Sequence, residues 1–251
     1  MRRFFLFLLL AGFGYSSSVV ARQPVVIFGD ANYPPYSYLN AAGEPSGIYV
    51  DLLRPIFDQM TDYAIEIQLV PWERALAALE AGEVLAIFPP YFYPASVRPY
   101  IGHYSVPLYQ EEVVLFCRRN LFTSHPRRWP ADFFGRVIGI NQGFAFGGEA
   151  FWLAVQRGEV QLSEAETNWQ NLLMLMDQRI DCYMNDRLSI EQELARMVED
   201  GEWQGSLPQE IRVVERHTGH LAFTLAHWHG YHYYHDFIDL FDRLYLERDA
   251  E

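Results

Sequence analysis

Val25-Val26-Ile27-Phe28 opens an alternation of strand and helix, and Val137-Ile138-Gly139-Ile140 opens it a second time. After the first start, residues 47–60 carry apolar side chains at helical spacing in Val50, Leu52, Leu53, Ile56, Phe57 and Met60, with Pro55 expected to kink the helix. Residues 65–70 alternate as a strand. Residues 73–81 read as a helix with Leu76 and Leu79 inward, stopped by Gly82, and 84–88 form a continuous apolar run suited to a buried strand. Such a βαβαβ unit folds as a parallel sheet with right-handed crossovers. After the second start the same grammar gives a helix over 148–157, a strand over 160–162, a helix over 169–178, a strand over 180–184 and a helix over 187–199 whose solvent face is charged.

The connections follow from what remains. A strand over 111–118 can carry the chain from the first unit to the second, and a return crossing is expected over 220–226. Phe237, Ile238, Leu240, Phe241, Leu244 and Tyr245 then give an amphipathic closing helix over 233–246. The expected fold class is α/β, with two lobes, a hinge of two strands and a cleft between the lobes. Residues 22–112 and 219–251 would form the first lobe and 113–218 the second.

The N-terminus sets the compartment. Met1-Arg2-Arg3 is positive, residues 4–12 are apolar, and Val19-Val20-Ala21 is a small-residue exit, so residues 1–21 read as a cleaved secretory signal. That apolar stretch is too short for a span of about 20 residues, and no later run approaches it. With no cysteine near the cleavage point, a lipid anchor is not expected. Loss of Arg2 and Arg3 takes the formal charge from -13 to -15, which speaks against nucleic acid or an anionic membrane as partner. The mature chain is expected to be periplasmic, soluble and monomeric. Cys117 and Cys182 are too few for a disulfide scaffold. An oxidising compartment permits a bridge, but two buried free thiols are the simpler expectation.

Aromatic residues make up 16% of the chain, and Tyr33-Pro34-Pro35-Tyr36, followed by Tyr38, falls in a turn-rich segment where packing alone explains them poorly. Within Val97-Arg98-Pro99-Tyr100-Ile101-Gly102-His103-Tyr104-Ser105-Val106-Pro107-Leu108-Tyr109, Arg98 is either a surface residue or an anion clamp, since a guanidinium grips a carboxylate through two parallel hydrogen bonds. Its spacing to Ser105, Pro107 and Tyr109 resembles a signature of the solute-binding proteins of amino-acid ABC importers. So do Tyr33 to Tyr36, Gly47-Ile48-Tyr49-Val50-Asp51-Leu52, Gly82 before a strand, Gly139-Ile140-Asn141-Gln142-Gly143 and Ile180-Asp181-Cys182-Tyr183-Met184-Asn185-Asp186, in the family's order. The resemblance covers essentially the whole mature chain and implies the type II periplasmic-binding-protein fold.

The resemblance also implies a site and a role. Arg98 would hold a ligand carboxylate, and Asp186 would accept from its ammonium, or would simply cap the helix that starts at Arg187. Backbone amides after Asn141-Gln142-Gly143, at the helix start near Gly147-Gly148, could add bonds to the carboxylate. Trp72 and Tyr33 would be rings above and below the ligand, with Trp72 as ordinary core the rival reading. Asp30, Tyr91 and Phe144 complete the candidate ligand residues. The chain departs from the family in three places: Pro89-Pro90-Tyr91-Phe92-Tyr93-Pro94 replaces small hydroxylated residues, Leu85 replaces an acidic one, and Phe144-Ala145 stands where a small hydroxyl residue is usual. The implied ligand is a small carboxylate, amino-acid-like, with an apolar, aromatic or cationic body. The implied partner is an ABC permease, or a membrane receptor if the chain is a sensor.

His217, His220, His227, His229, His232 and His235 crowd the C-terminal part, but without a dedicated motif they are expected to be solvated or packed on rings, and no metal or cofactor is expected. There is no nucleophile elbow, phosphate loop or zinc-protease histidine pair. Glu111 and Glu112 would alternate faces on a strand and could not act together. A lyase or dehydratase on the same scaffold is the alternative from the enzyme class.

Overall fold

The computed structural model describes residues 21–226 and 230–249. The expected signal segment, apart from its last residue, and His227 and His229 lie outside the described residues.

The chain runs through β1 (Gln23–Asp30), β2 (Asn32–Tyr33), β3 (Ser37–Leu39), β4 (Pro45–Ser46), α1 (Ile48–Gln59), β5 (Tyr63–Val70), α2 (Trp72–Ala81), β6 (Ala86–Phe88) and β7 (Ile101–Tyr104). Strand β8 (Tyr109–Cys117) leads into β9 (Val137–Asn141), α3 (Gly148–Gln156), β10 (Gln161–Ala165), α4 (Asn168–Met176), β11 (Cys182–Asp186) and α5 (Arg187–Glu199). Strand β12 (Gln209–Gly219) returns, and β13 (Ala222–Thr224) and α6 (Tyr234–Asp249) finish the chain. Pro55 lies inside α1 without dividing it. Gly82 ends α2 in the left-handed region at φ 71°, where glycine meets no Cβ penalty.

Two five-stranded sheets result, in the orders β5-β1-β6-β13-β7 and β10-β9-β11-β8-β12. In each, a parallel core is joined by antiparallel strands: β1 pairs in parallel with β5 and β6, and β9 with β10 and β11. Strands β13 and β8 run antiparallel to those cores. A mixed α/β fold with two lobes is therefore what the chain adopts. In the first lobe Tyr49, Leu53, Phe88, Phe237 and Phe241 share one core, and α6 returns to α1 through Phe241 against Phe57 at 5.9 Å. In the second lobe Phe133, Ile138 and Phe151 anchor another. Each such side chain, fully buried, contributes about 1.5–3 kcal/mol.

Two expectations are corrected. The return crossing lies over β12, which pairs antiparallel with β8 from Gln209 opposite Cys117 to Gly219 opposite Tyr109, whereas Ala222–Thr224 already belongs to the first sheet. Charged residues interleaved through Glu210-Ile211-Arg212-Val213-Val214-Glu215 had hidden that strand. Cys117 and Cys182 are not free thiols: they are bonded as a disulfide. They stand opposite one another on β8 and β11 with Cα atoms 4.0 Å apart, a proximity created by strand pairing and invisible in a separation of 65 residues.

Candidate functional site

The carboxyl ends of β1 and β6 in one lobe and of β9 in the other face each other across the cleft, the place where open α/β sheets gather ligands. Asp30 ends β1, Tyr33 is in β2, Trp72 opens α2, and Pro89, Pro90, Tyr91, Tyr93 and Arg98 follow β6. Together with Phe144, Ala145 and Phe146 after β9, they line one interlobe cavity of about 30 Å³. That is room for a water or two, far below the several hundred Å³ of a ligand site. The reason is Phe144, which meets Tyr33 edge-on at 5.6 Å and Phe146 at 5.2 Å and packs against cores of both lobes. The lobes also touch directly: Tyr36 Oη donates to Asp186 Oδ1 at 2.8 Å, and Ser189 Oγ donates to the Pro34 carbonyl.

Arg98 is buried rather than on the surface. Its guanidinium lies over Trp72 at 5.6 Å and Tyr93 at 5.4 Å, and Nη2 donates to the Gly143 carbonyl at 3.1 Å. Nη1 is buried without a hydrogen-bond partner among the described residues, so the permanently charged fork keeps an unused donor at the cavity. Asp30, also buried, accepts only from the Asn32 amide at 2.8 Å among the described residues, and burial pushes its carboxyl up to about 7. The cavity thus pairs an under-satisfied cation with an under-satisfied carboxyl, walled by rings.

Of the candidate residues, Asp30, Tyr33, Trp72, Tyr91, Arg98 and Phe144 line this cavity. Gly143 borders it through the Arg98 bond; at φ 75°, a Cβ there would lie 3.2 Å from Trp72. Asn141 does not reach it. Its side chain belongs to a buried network of the second lobe, donating to Asn168 at 2.9 Å and accepting from Asn171 at 2.9 Å and Tyr183 at 2.7 Å. Asp186 lies outside the lining too. Oδ1 accepts from Tyr36 and from the Ser189 amide at 3.1 Å, capping α5, and Oδ2 accepts from the Glu112 amide at 3.1 Å. The helix-cap reading therefore describes it in this closed form. The helix start at Gly147 is also occupied by the protein itself, because its amide donates to Glu215 at 3.1 Å. Among the described residues, no group of three or more His, Cys, Asp or Glu is placed to hold a metal.

Sequence reasoning missed Glu111. The alternation it expected holds: Glu112 is half-exposed and pairs with Arg187 and with Arg216 at 2.6 Å, while Glu111 is buried. Glu111 accepts hydroxyl hydrogen bonds from Tyr33, Tyr49 and, at 2.6 Å, Tyr91. Burial, then the nearby Asp186 charge, pushes its carboxyl up to about 8 against the opposing pull of those three hydroxyls. The signal available was the inward parity of one member of a Glu-Glu pair on a buried strand.

The fold is shared with several solved structures. The chain is similar to a histidine kinase sensor domain with similarity to periplasmic binding proteins, at 18% identity over 91% of both chains and a TM-score of 0.72. It is similar to the arginine-, lysine-, histidine-binding protein ArtJ of Geobacillus stearothermophilus, at 15% identity over 91% of this chain and 90% of that one, with a TM-score of 0.69. An ancestral amino acid-binding protein, a precursor of cyclohexadienyl dehydratase, matches at 12% identity over 91% and 90% with a TM-score of 0.65. At these identities the likeness carries the fold alone. No curated protein matches the sequence. The family of bacterial extracellular solute-binding proteins, family 3, matches residues 25–206, and the chain belongs to that family.

Proposed function

We propose that this solute-binding protein captures a small amino-acid-like ligand in the interlobe cleft, its carboxylate on Arg98 and a cationic group on Asp30, with Trp72, Tyr33 and Tyr91 around its body. The observation that carries the reading is the pairing of the unpartnered Arg98 Nη1 with the sparsely bonded Asp30 carboxyl on one cavity. A guanidinium and a carboxyl on one aromatic-lined cavity suit a zwitterion or a cationic amino acid better than a neutral sugar. Asp186, the sequence-based choice for the ammonium, serves the closed state through Tyr36 instead. Gly143 and Phe144 are placed on the ligand's second-lobe side, and Phe144 has to swing aside for it to enter.

In this reading residues 1–21 are a signal, the mature protein works in the periplasm, residues 22–112 with 219–251 and residues 113–218 move as lobes, and the closed form is presented to an ABC permease. The similarity to a kinase sensor domain supports a second role, presentation of the same closed form to a membrane receptor. A thermal-shift screen of amino acids, small carboxylates and polyamines tests the ligand class, since a ligand at 100 times its dissociation constant adds about 2.7 kcal/mol. Stabilisation by cationic or aromatic amino acids is expected; stabilisation only by uncharged solutes would end the proposal. Turnover of a bound acid by the purified protein would instead favour a lyase.

A further inference from the structure

Tyr33, Tyr49 and Tyr91 come from β2, from the first turn of α1 and from the segment after β6, yet their hydroxyls converge on one carboxyl of a crossing strand. Tyr33 and Tyr91 also touch one another through their hydroxyls at 3.1 Å. Their rings line the cavity while their polar ends are tied to Glu111. The second crossing strand joins the same cluster. Tyr91 makes a β-bridge with Gly219 and stacks on His217 at 4.6 Å, and His217 faces Glu111 across the β8–β12 pair. A Cβ at Gly219 would sit 1.9 Å from the Tyr49 hydroxyl oxygen, so only glycine lets Tyr49 reach Glu111 there.

We propose that Glu111 is a positioning residue for the ligand cleft: from the hinge, its carboxyl fixes the Tyr33 and Tyr91 walls and ties their placement to lobe closure. The coupling follows from what closure adds. Tyr33 and Tyr49 pack in the first-lobe core and Tyr91, following β6, packs in the second, whereas Glu111 on β8 and Asp186 on β11 share the second sheet, and Asp186 meets Tyr36 of the first lobe when the lobes close. The groups facing Glu111 are thus Tyr33, Tyr36 and Tyr49 from the first lobe, Tyr91 and Tyr93 from the segment after β6, Asp186 from β11 and His217 from β12. Asp186 is held beside Glu111 by the β8–β11 pairing, and closing adds the Tyr36 donor that keeps Asp186 ionised and removes water, both of which favour the protonated form of Glu111. A protonated Glu111 can accept from fewer hydroxyls than a carboxylate and gains one donor, so the tyrosine rings settle differently in the two protonation states. Proton uptake and closure are therefore linked, with the aromatic walls as the element both act on.

This proposal rests on the binding reading of the cleft, and its test has one arm that needs no ligand. In protein labelled with 13C at the tyrosine Cζ carbons, the Tyr33, Tyr49 and Tyr91 resonances, assigned by single Tyr→Phe variants, are expected to move together through one midpoint between about pH 7 and 9. Glu111→Gln should abolish that common step. Independent midpoints, or an unchanged step in Glu111→Gln, would overturn the proposal. The second arm uses L-arginine as probe in titration calorimetry at pH 6.5 and 9.5. Glu111→Gln is expected to weaken it about tenfold and to flatten its pH dependence, while an unchanged affinity and pH dependence removes the positioning role. If the wild type does not bind L-arginine, the cationic form of the ligand reading falls and the tyrosine titration alone decides on Glu111. Should Glu111→Gln fail to fold, Tyr33→Phe and Tyr91→Phe keep the rings and carry both readouts, each expected to raise the common midpoint by removing one hydroxyl from the carboxylate; no rise would overturn the tie.

Discussion

Asp30→Asn should make the ligand-free protein more stable at neutral and alkaline pH while impairing it as a receptor for cations. In the folded chain the Asp30 carboxyl is pushed by burial from its ordinary 3.8 up to about 7, with the Asn32 amide its one donor among the described residues. The folded state therefore holds a proton that the unfolded chain releases near pH 4. The stabilisation this gives is fully present below about pH 4 and is lost as pH rises through about 7, after which it is flat. A shift of this size corresponds to about 4 kcal/mol between those limits. An asparagine carries no such dependence and still accepts from Asn32. Urea unfolding of both proteins at pH 5 and pH 8 reads the difference directly. Glu111 and Asp186 are raised in the same direction and act equally in both proteins, so only the Asp30 part separates the two slopes. A variant that loses as much stability as the wild type between pH 5 and 8 would refute the reasoning, because it would mean that Asp30 is already ionised and solvated in the closed cleft. With the ligand the order should reverse: a bound cation favours the ionised form, so the wild type gains more from L-arginine than the variant does.

Three other outcomes are expected. Arg98→Lys should weaken a carboxylate ligand by about 2 kcal/mol, more than tenfold in calorimetry, with the fold retained, because an ammonium cannot keep the Gly143 bond and the free Nη1 donor in one plane. Phe144→Ser removes the ring that packs on both lobes. It should lower the ligand-free melting temperature and raise affinity for bulky amino acids; a lower affinity would show that the ring is part of the binding surface. Replacing both Cys117 and Cys182 by serine opens a loop of 65 residues and should lower stability by about 4 kcal/mol in the unfolded-chain entropy account, measured by denaturant unfolding under non-reducing conditions.

The repeated strand and helix pattern by itself determined the two-lobed α/β class, because apolar spacing reports which residues must leave water and that choice is local. The resemblance to the solute-binding family marked Arg98, Trp72, Tyr33 and Phe144 as neighbours of one cleft, and all four follow the carboxyl ends of strands that face it. Pairing across the sheet was another matter. That Cys117 meets Cys182, that β12 rather than residues 220–226 carries the return, and that Gly219 makes way for Tyr49 are all consequences of strand register, which no local pattern encodes. The partition of the carboxylates was likewise a tertiary decision. Asp186, Asp30 and Glu111 are alike as sequence, one ending a strand before a helix, one ending a strand before a turn, one in mid-strand. Their roles separate only through what the fold brings to them: a helix start and Tyr36 for Asp186, a nearly bare cavity wall for Asp30, and three tyrosine hydroxyls for Glu111. A carboxyl group's chemistry is set by its desolvation and its donors, and both are properties of distant segments meeting.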